Sequence, residues 1–199
     1  MRVRVRELVG PALFEASFVV LGVILALAAN EWREAREHRR DAEDALRAIR
    51  AELAANRTTV ESSRAYHAQL LSSLGGRPAT EPSPTINMFT RGFVSPAQVT
   101  STAWNVASET GVLSHIPYPT VLKLSRAYAL QNRYDDQSRN IAQLIYSELY
   151  RQGPMAMAAN YRNLLSLIGA FAFRERELVI LYDSTLTEQG TGAELGAGR

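Results

Sequence analysis

The sequence predicts an all-α protein in which an N-terminal transmembrane helix continues into a long helix, followed by an antiparallel helical bundle. An early apolar stretch contains one charged residue, and apolar residues then recur at intervals of three and four. No segment alternates apolar and polar residues over the length of a strand. The predicted segments are a short basic tail (1–10), a transmembrane helix (11–29), a long heptad-patterned helix (30–74), a loop (75–95), a helical bundle (96–189) and a flexible tail (190–199).

Composition narrows the class of protein. The 199 residues are 46% hydrophobic and 21% charged, which is ordinary for a folded globular chain. The net charge is +2, and arginine and glutamate are interleaved along the chain, so no concentrated basic face is expected and nucleic acid is not a predicted partner. The absence of cysteine excludes disulfides and thiol nucleophiles.

The predicted transmembrane helix depends on its length and on the position of its one charge. Starting at Pro11, the segment to Ala29 would extend about 28 Å at 1.5 Å per residue, close to the thickness of a hydrocarbon core. Glu15 then lies in the second turn, near the headgroups. Two alternatives stay open: a signal peptide cleaved after Ala28, or a buried helix of a globular core.

Other residues of the predicted anchor suit a membrane helix. Gly22 and Ala26 are four residues apart, a spacing that lets two helices approach closely. Trp32 follows the apolar stretch directly, where an indole ring is favoured at the headgroups. The membrane anchor is thus assigned to Glu15, Gly22, Ala26 and Trp32.

The long helix carries an apolar seam with polar interruptions. Its apolar positions are Ala42, Leu46, Ile49, Leu53, Val60, Leu70 and Leu74, and its polar ones are Asn56, Ser63 and His67. Asn56 could set the register of a coiled-coil dimer, with Leu46, Ile49, Leu53 and Val60 as the oligomer seam. Alternatively, the seam packs against later helices of the same chain. Either way, the Gly75-Gly76-Arg77-Pro78 run ends the helix.

Three further helices are predicted after the loop. Ser95 and Pro96 have the form of an N-cap followed by proline at the first helical position, so a helix is expected from there to Glu109. A second helix should begin near Tyr118 and end at Gly153, with Leu124, Tyr128, Leu144 and Ile145 among its inward residues. The last is expected over residues 155–186.

The sequence contains little that indicates chemistry. It has no glycine-rich phosphate loop and no nucleophile elbow, and its three histidines are far apart. We therefore predict no catalytic residue, metal ligand or cofactor, and do not expect an enzyme. A pocket for a ligand or partner is predicted around the turn that contains Trp104, Asn105, Ser108, His115 and Tyr118.

Two blocks of sequence resemble an uncharacterised family of small bacterial single-pass membrane proteins. The first is Glu15-x3-Val19-x2-Gly22-Val23-x2-Ala26 running into Asn30-x-Trp32-x-Glu34, and the second extends from Thr102-Ala-Trp104 through Ser108-Glu-Thr-Gly111 to Tyr128. The resemblance implies a bacterial inner-membrane location and a helical fold. Because long domains cross membranes largely regardless of charge, we expect the helical domain in the periplasm.

The expected function is that of a membrane-anchored helical interaction or scaffold protein. Its partners would be the membrane and either a second copy of the chain or another envelope protein. The alternative is a single-pass sensor domain that binds a small ligand between its helices.

Overall fold

The computed structural model describes the backbone of residues 5–78 and 80–196, and the side chains of residues 14, 17–78 and 80–187. Its α-helices are α1 (Val5–Gly75), α2 (Thr102–Glu109), α3 (Tyr118–Gln152), α4 (Pro154–Ala159) and α5 (Tyr161–Gly196). Short 3-10 helices lie at Ile86–Met88 and Val112–His115. Because the described residues form no β-strand, the predicted all-α class is confirmed.

The chain divides into two compact units, Met1–Asp44 and Ala45–Arg199, and α1 contributes to both. Within the part of the chain that the structure describes, no helix has the length and apolar character needed to cross a membrane. Residues 11–13, 15 and 16 of the predicted span, Glu15 among them, lie outside the described side chains. The transmembrane helix stays a prediction.

In the second unit, α1, α3 and α5 form a bundle in which two neighbouring helices are parallel. Glu52 and Asn56 of α1 bond Tyr128 and Gln131 of α3, so the residue numbers rise together along the two helices. Against α5 the order reverses, since Arg57 pairs with Asp183 and His67 with Glu175. Within residues 96–189, where the antiparallel bundle is predicted, α3 and α5 run in opposite directions, since Gln131 bonds Tyr182 and Tyr134 bonds Glu175. The long helix α1, which the prediction places before the bundle, runs parallel to α3. Residues 76–117 return the chain from the end of α1 to the start of α3.

The predicted seam of α1 is buried within one copy of the chain. Ile49, Leu53 and Val60 have no exposed surface, and Asn56 is 3% exposed. They pack with α3 and α5 residues, including Leu124, Tyr128, Phe171, Leu178 and Tyr182, while Leu46 is half-buried at the edge of the same cluster. Packing within one chain, one of the two alternatives left open, accounts for these positions.

A second apolar cluster fills the other end of the bundle. It joins the C-terminal part of α1, the loop residues Phe89 and Phe93, and the first turns of α5. Met157 and Ala158 of the short α4 complete it. Gly153 makes the turn between α3 and α4 with a φ of 78°, a conformation that side-chain-bearing residues rarely adopt.

The structure differs from three expectations about the later helices. The helix predicted from Ser95 begins only at Thr102, because the preceding backbone bonds to side chains of the bundle rather than to itself. Leu144, predicted to face inward, is 50% exposed, whereas Leu124, Tyr128 and Ile145 are buried as expected. The last helix is divided at Asn160 into α4 and α5.

Candidate functional site

The most extensive polar site of the bundle surrounds an extended segment, residues 94–101, which we call the strap. The strap lies along α1 and α3, and side chains of those helices accept hydrogen bonds from its backbone. The bonded pairs, in chain order, are Ser95 N–H to His67 Nε2 (3.1 Å), Ala97 N–H to the Tyr134 hydroxyl (2.6 Å) and Thr100 N–H to Asn56 Oδ1 (3.0 Å). A segment without regular structure thereby keeps its backbone donors satisfied.

Asn56 and Gln131 form the centre of one half of this network. Both amides donate to the Thr100 carbonyl, at 2.7 Å from Asn56 and 2.9 Å from Gln131. Asn56 also donates to Gln131 Oε1, which accepts a second bond from the Tyr182 hydroxyl at 2.7 Å. One residue each from α1, α3 and α5 is thus joined beneath the strap.

His67, Glu175 and Tyr134 form the other half and have no exposed surface. The Glu175 carboxylate lies 2.8 Å from His67 Nδ1 and accepts from the Tyr134 hydroxyl at 2.9 Å. Because His67 Nε2 accepts the Ser95 N–H, the ring proton is assigned to Nδ1, which donates to Glu175. Every polar atom of the three side chains is then occupied.

The protonation of this triad is set by its neighbours. A doubly protonated His67 would point an N–H at the N–H of Ser95, so the neutral ring fits the contacts. Glu175 accepts two hydrogen bonds and fits as the carboxylate. Its charge contributes to raising the pKa of Arg64, after the larger effect of the hydrogen bond with Glu61.

Glu52 links the start of α2 to the same network. Its carboxylate accepts from the Ala103 N–H at 3.0 Å and from the Tyr128 hydroxyl at 2.6 Å. An acidic group at the first turn of a helix is favoured by the helix dipole. Trp104 stacks on Tyr128, with 5.0 Å between ring centres, which fixes α2 over α3.

The predicted pocket around Trp104 consists largely of surface residues. Trp104 is half-buried in its stack on Tyr128, while Asn105, Ser108 and His115 are exposed and Tyr118 is 74% exposed. A ligand or partner site there stays a prediction. Of these residues, Trp104 contacts the buried network through its stack on Tyr128.

Two other surfaces have exposed apolar groups. In the first unit, side chains on all sides of α1 are 51–68% exposed: Phe14, Phe18, Val19, Val20, Leu21, Val23, Ile24, Leu25 and Leu27. Gly22 and Ala26 are exposed within this stretch, and Trp32 beyond it is 66% exposed. Soluble monomers rarely leave a continuous apolar surface of this kind uncovered.

The second surface lies at the turn between α3 and α5. Tyr146, Tyr150 and Met155 are 71%, 96% and 62% exposed. At the same end of the bundle, a groove of about 300 Å³ lies between α3, α4 and α5; its apolar lining includes Ile145 and Leu164, with Glu148 and Arg151 among its charged residues.

Sequence reasoning did not identify Glu52, Gln131 or Glu175 as parts of a site. Each bonds an atom on a distant segment of the chain, and no local motif joins the two partners. The available signal was the set of polar residues on an otherwise apolar seam, where Asn56 and His67 needed buried partners.

The chemistry of the buried network is structural. Its side chains are enclosed and bonded to one another, so no reacting group could reach Glu175 or His67 without opening the core. Among the described residues, no cluster of three or more histidine and acidic side chains could hold a metal ion. Comparisons with protein-family models, curated proteins and solved structures give no match.

Removing the Asn56 amide should destabilise the bundle substantially. Asn56→Ala leaves the Thr100 N–H without its partner and takes one donor each from the Thr100 carbonyl and Gln131. We expect a loss of about 2–4 kcal/mol in the free energy of unfolding, measured by denaturant titration of the helical circular dichroism signal. Asn140→Ala, at an exposed position of α3, is the matched control and should cost under about 0.5 kcal/mol. Equal losses in the two variants would contradict the role given to Asn56.

The buried tyrosines should make the fold sensitive to alkali. Burial raises the pKa of Tyr128, Tyr134 and Tyr182, the first two also beside carboxylates. In the unfolded chain these phenols ionise near pH 10. The stability that the three buried, protonated tyrosines give to the fold is therefore fully present below about pH 10 and is lost as the pH rises above it.

We expect phenolate absorbance from these three residues to appear together with the loss of helical circular dichroism. The two signals can be recorded on one sample as the pH is raised. Ionisation of all eight tyrosines of the chain with the helical signal intact would show that the three phenols are not protected by folding.

Proposed function

We propose that this protein is a membrane-anchored helical interaction module, with residues 11–29 as a single transmembrane helix. The observation that carries the proposal is the exposure of apolar side chains on all sides of α1 between Phe14 and Leu27. A helix that packs on a core has a polar face, whereas one surrounded by lipid is apolar all round. Glu15 is the one charged residue between Leu8 and Ala29.

The orientation proposed is an N-terminal tail in the cytoplasm and a helical domain in the periplasm of a bacterial cell. The short tail carries Arg2, Arg4 and Arg6, and a long domain translocates largely regardless of its charges. The resemblance of the anchor residues to a family of single-pass bacterial membrane proteins supports the same location.

An alkaline phosphatase fusion joined after Leu186 tests anchoring and orientation together, because the enzyme is active only outside the cytoplasm. We expect activity in the membrane fraction. Val20→Arg combined with Ile24→Arg should abolish membrane integration, because each arginine near the bilayer centre costs about 2.5–3.5 kcal/mol.

The matched control is Ala48→Arg combined with Ala55→Arg, at exposed positions of the same helix in the second unit. It adds the same charge and should leave the fusion in the membrane. Activity in the soluble periplasm would mean that the segment is cleaved. An intact but inactive fusion in membranes would reverse the orientation.

The interaction role is supported by the exposed aromatic surface at the turn between α3 and α5. Tyrosine and methionine are enriched at protein interfaces, and Tyr146 and Tyr150 are one helical turn apart on α3. The proposed partner is a second copy of the chain or another envelope protein, brought to high local concentration by the shared membrane.

The alternative function, a sensor for a small ligand, is favoured by the groove between α3, α4 and α5. Ile145 and Leu164 form part of an apolar floor, and Glu148 and Arg151 could orient a polar group. The groove lies between helices, as the sensor hypothesis requires, although away from the turn that contains Trp104.

Mass spectrometry of the full chain, purified in mild detergent under native conditions, distinguishes the two functions. We expect a stable oligomer or a co-purifying protein that is lost in Tyr146→Ser combined with Tyr150→Ser. The control is Phe173→Ser, which removes a comparably exposed aromatic side chain from α5 and should change nothing. A monomer that retains a bound small molecule would favour the sensor.

A further inference from the structure

Charges on α1 beyond the apolar stretch are separated onto two faces. Successive helical residues are rotated by about 100°, which places the basic residues within an arc of about 120° and the acidic residues opposite them. Over residues 31–41, the basic face consists of Arg33, Arg36, Arg39 and Arg40, and the acidic face of Glu31, Glu34, Glu37 and Asp41. The two kinds of charge alternate in sequence over these residues, but the helix gives each its own side. Glu43, beyond them, lies on the basic side, one helical turn from Arg39 and Arg40.

The basic face is open to solvent, and one of its arginines is held by a neighbouring aromatic ring. All four arginines are exposed, and no described carboxylate lies within ion-pair distance of any of them. The Arg36 guanidinium lies over the Trp32 ring, 5.5 Å from its centre. This stack holds a cation beside an aromatic ring on the same face as the other arginines.

These side chains border a surface recess of about 380 Å³. Its lining residues are Trp32, Ala35, Arg36, Arg39, Arg40 and Glu43. Three guanidiniums and an indole N–H are donors suited to the oxygens of a phosphodiester, which arginine binds with two hydrogen bonds. Glu43 lies at the end of the recess farthest along the chain from Trp32, about 10 Å of helix beyond Arg36.

The position of the face relative to the apolar stretch indicates the source of that phosphodiester. At 1.5 Å per residue, Trp32 lies about 4.5 Å, Arg36 about 10 Å and Arg40 about 16 Å beyond Ala29. The headgroup layer is about 5–8 Å deep, and the potential of an anionic surface extends about one Debye length, 8–10 Å, farther. Under the proposed anchoring, Trp32 therefore lies in the headgroup layer, and the arginines of the recess lie within the potential of its surface.

We propose that the Trp32, Arg36, Arg39 and Arg40 face of α1 binds the headgroup phosphate of anionic phospholipids. Arg33 adds charge at the edge nearest the bilayer. The inference rests on the proposed membrane anchor and extends it, because it assigns a lipid class to the residues that follow the apolar stretch. A zwitterionic lipid carries a choline or amine cation that the arginines would repel, which gives the preference for net negative headgroups.

Lipid enrichment around the full chain tests this proposal. The protein is reconstituted in vesicles of phosphatidylcholine mixed with phosphatidylglycerol, extracted in polymer-bounded discs with its surrounding lipid, and the lipid ratio is compared with that of the vesicle. We expect a several-fold enrichment of phosphatidylglycerol that weakens as salt is raised. Arg33→Gln, Arg36→Gln, Arg39→Gln and Arg40→Gln combined should abolish it.

The control combines Arg126→Gln, Arg133→Gln, Arg162→Gln and Arg176→Gln, which removes the same charge from exposed positions of α3 and α5 and should keep the enrichment. Arg36→Lys with Arg39→Lys preserves the charge and should retain most of it. A lipid ratio equal to that of the vesicle, or full enrichment in the first glutamine variant, would overturn the proposal. The proposal would also be overturned if that variant lost self-association but kept the lipid enrichment, since the face would then be a protein contact.

Insertion into vesicles is measured separately by flotation. A chain that does not float with the lipid contradicts the proposed anchor and the lipid site with it. A chain that floats without enriching phosphatidylglycerol contradicts the lipid site alone.

Discussion

The bundle depends on hydrogen bonds from the backbone of the strap to side chains of two helices, α1 and α3. An extended segment that covers a helix groove has N–H groups with no partner in its own backbone, and an unpaired buried donor costs about 1–3 kcal/mol. Here His67, Asn56 and Tyr134 accept them. The parallel packing of α1 and α3 follows from the same feature, because the chain must return along the bundle before α3 begins. The strap is part of that return.

Those acceptors are themselves held in place by α5. Glu175 orients His67 and Tyr134 together, and Tyr182 occupies the second acceptor site of Gln131. Removing one partner of a buried charged pair leaves the other charge without compensation. The resulting loss of folding free energy is larger than the net contribution of the pair itself. The network therefore connects the strap to α5 in two places. One connection runs through His67 and Tyr134 to the Glu175 carboxylate, and the other through Gln131 to the neutral Tyr182. Its enclosed geometry resembles a catalytic arrangement only in residue type, since no substrate can reach it.

Much of the helical framework followed from sequence, but the strap did not. The three-and-four spacing placed Ile49, Leu53 and Val60 in the core, and the Gly75–Pro78 run ended α1 where the structure ends it. Ser95 and Pro96 met the local criteria for a helix start, yet the Ser95 N–H bonds to His67, twenty-eight residues earlier in the chain. A local capping pattern contains no information about such a distant acceptor. The polar residues on the seam did contain it, but their partners could be identified only once the helices were packed.

The surface composition of α1 changes twice along one uninterrupted helix. From Phe18 to Leu27 its exposed side chains are apolar on all sides, from Trp32 to Asp41 its charges are separated by sign, and from Ile49 to Leu74 an apolar stripe faces the bundle. Helix propensity is nearly constant across these stretches, so propensity alone predicts one helix and says nothing of its surroundings. The distribution of side chains around the axis supplies that information. An apolar surface suits hydrocarbon, a basic and an acidic face suit a charged boundary with water, and a stripe suits a protein core. The order of the three is the order expected of a helix that leaves a membrane and enters a folded domain, and this order supports the proposal that the anchor and its lipid contacts lie on the helix that carries the core.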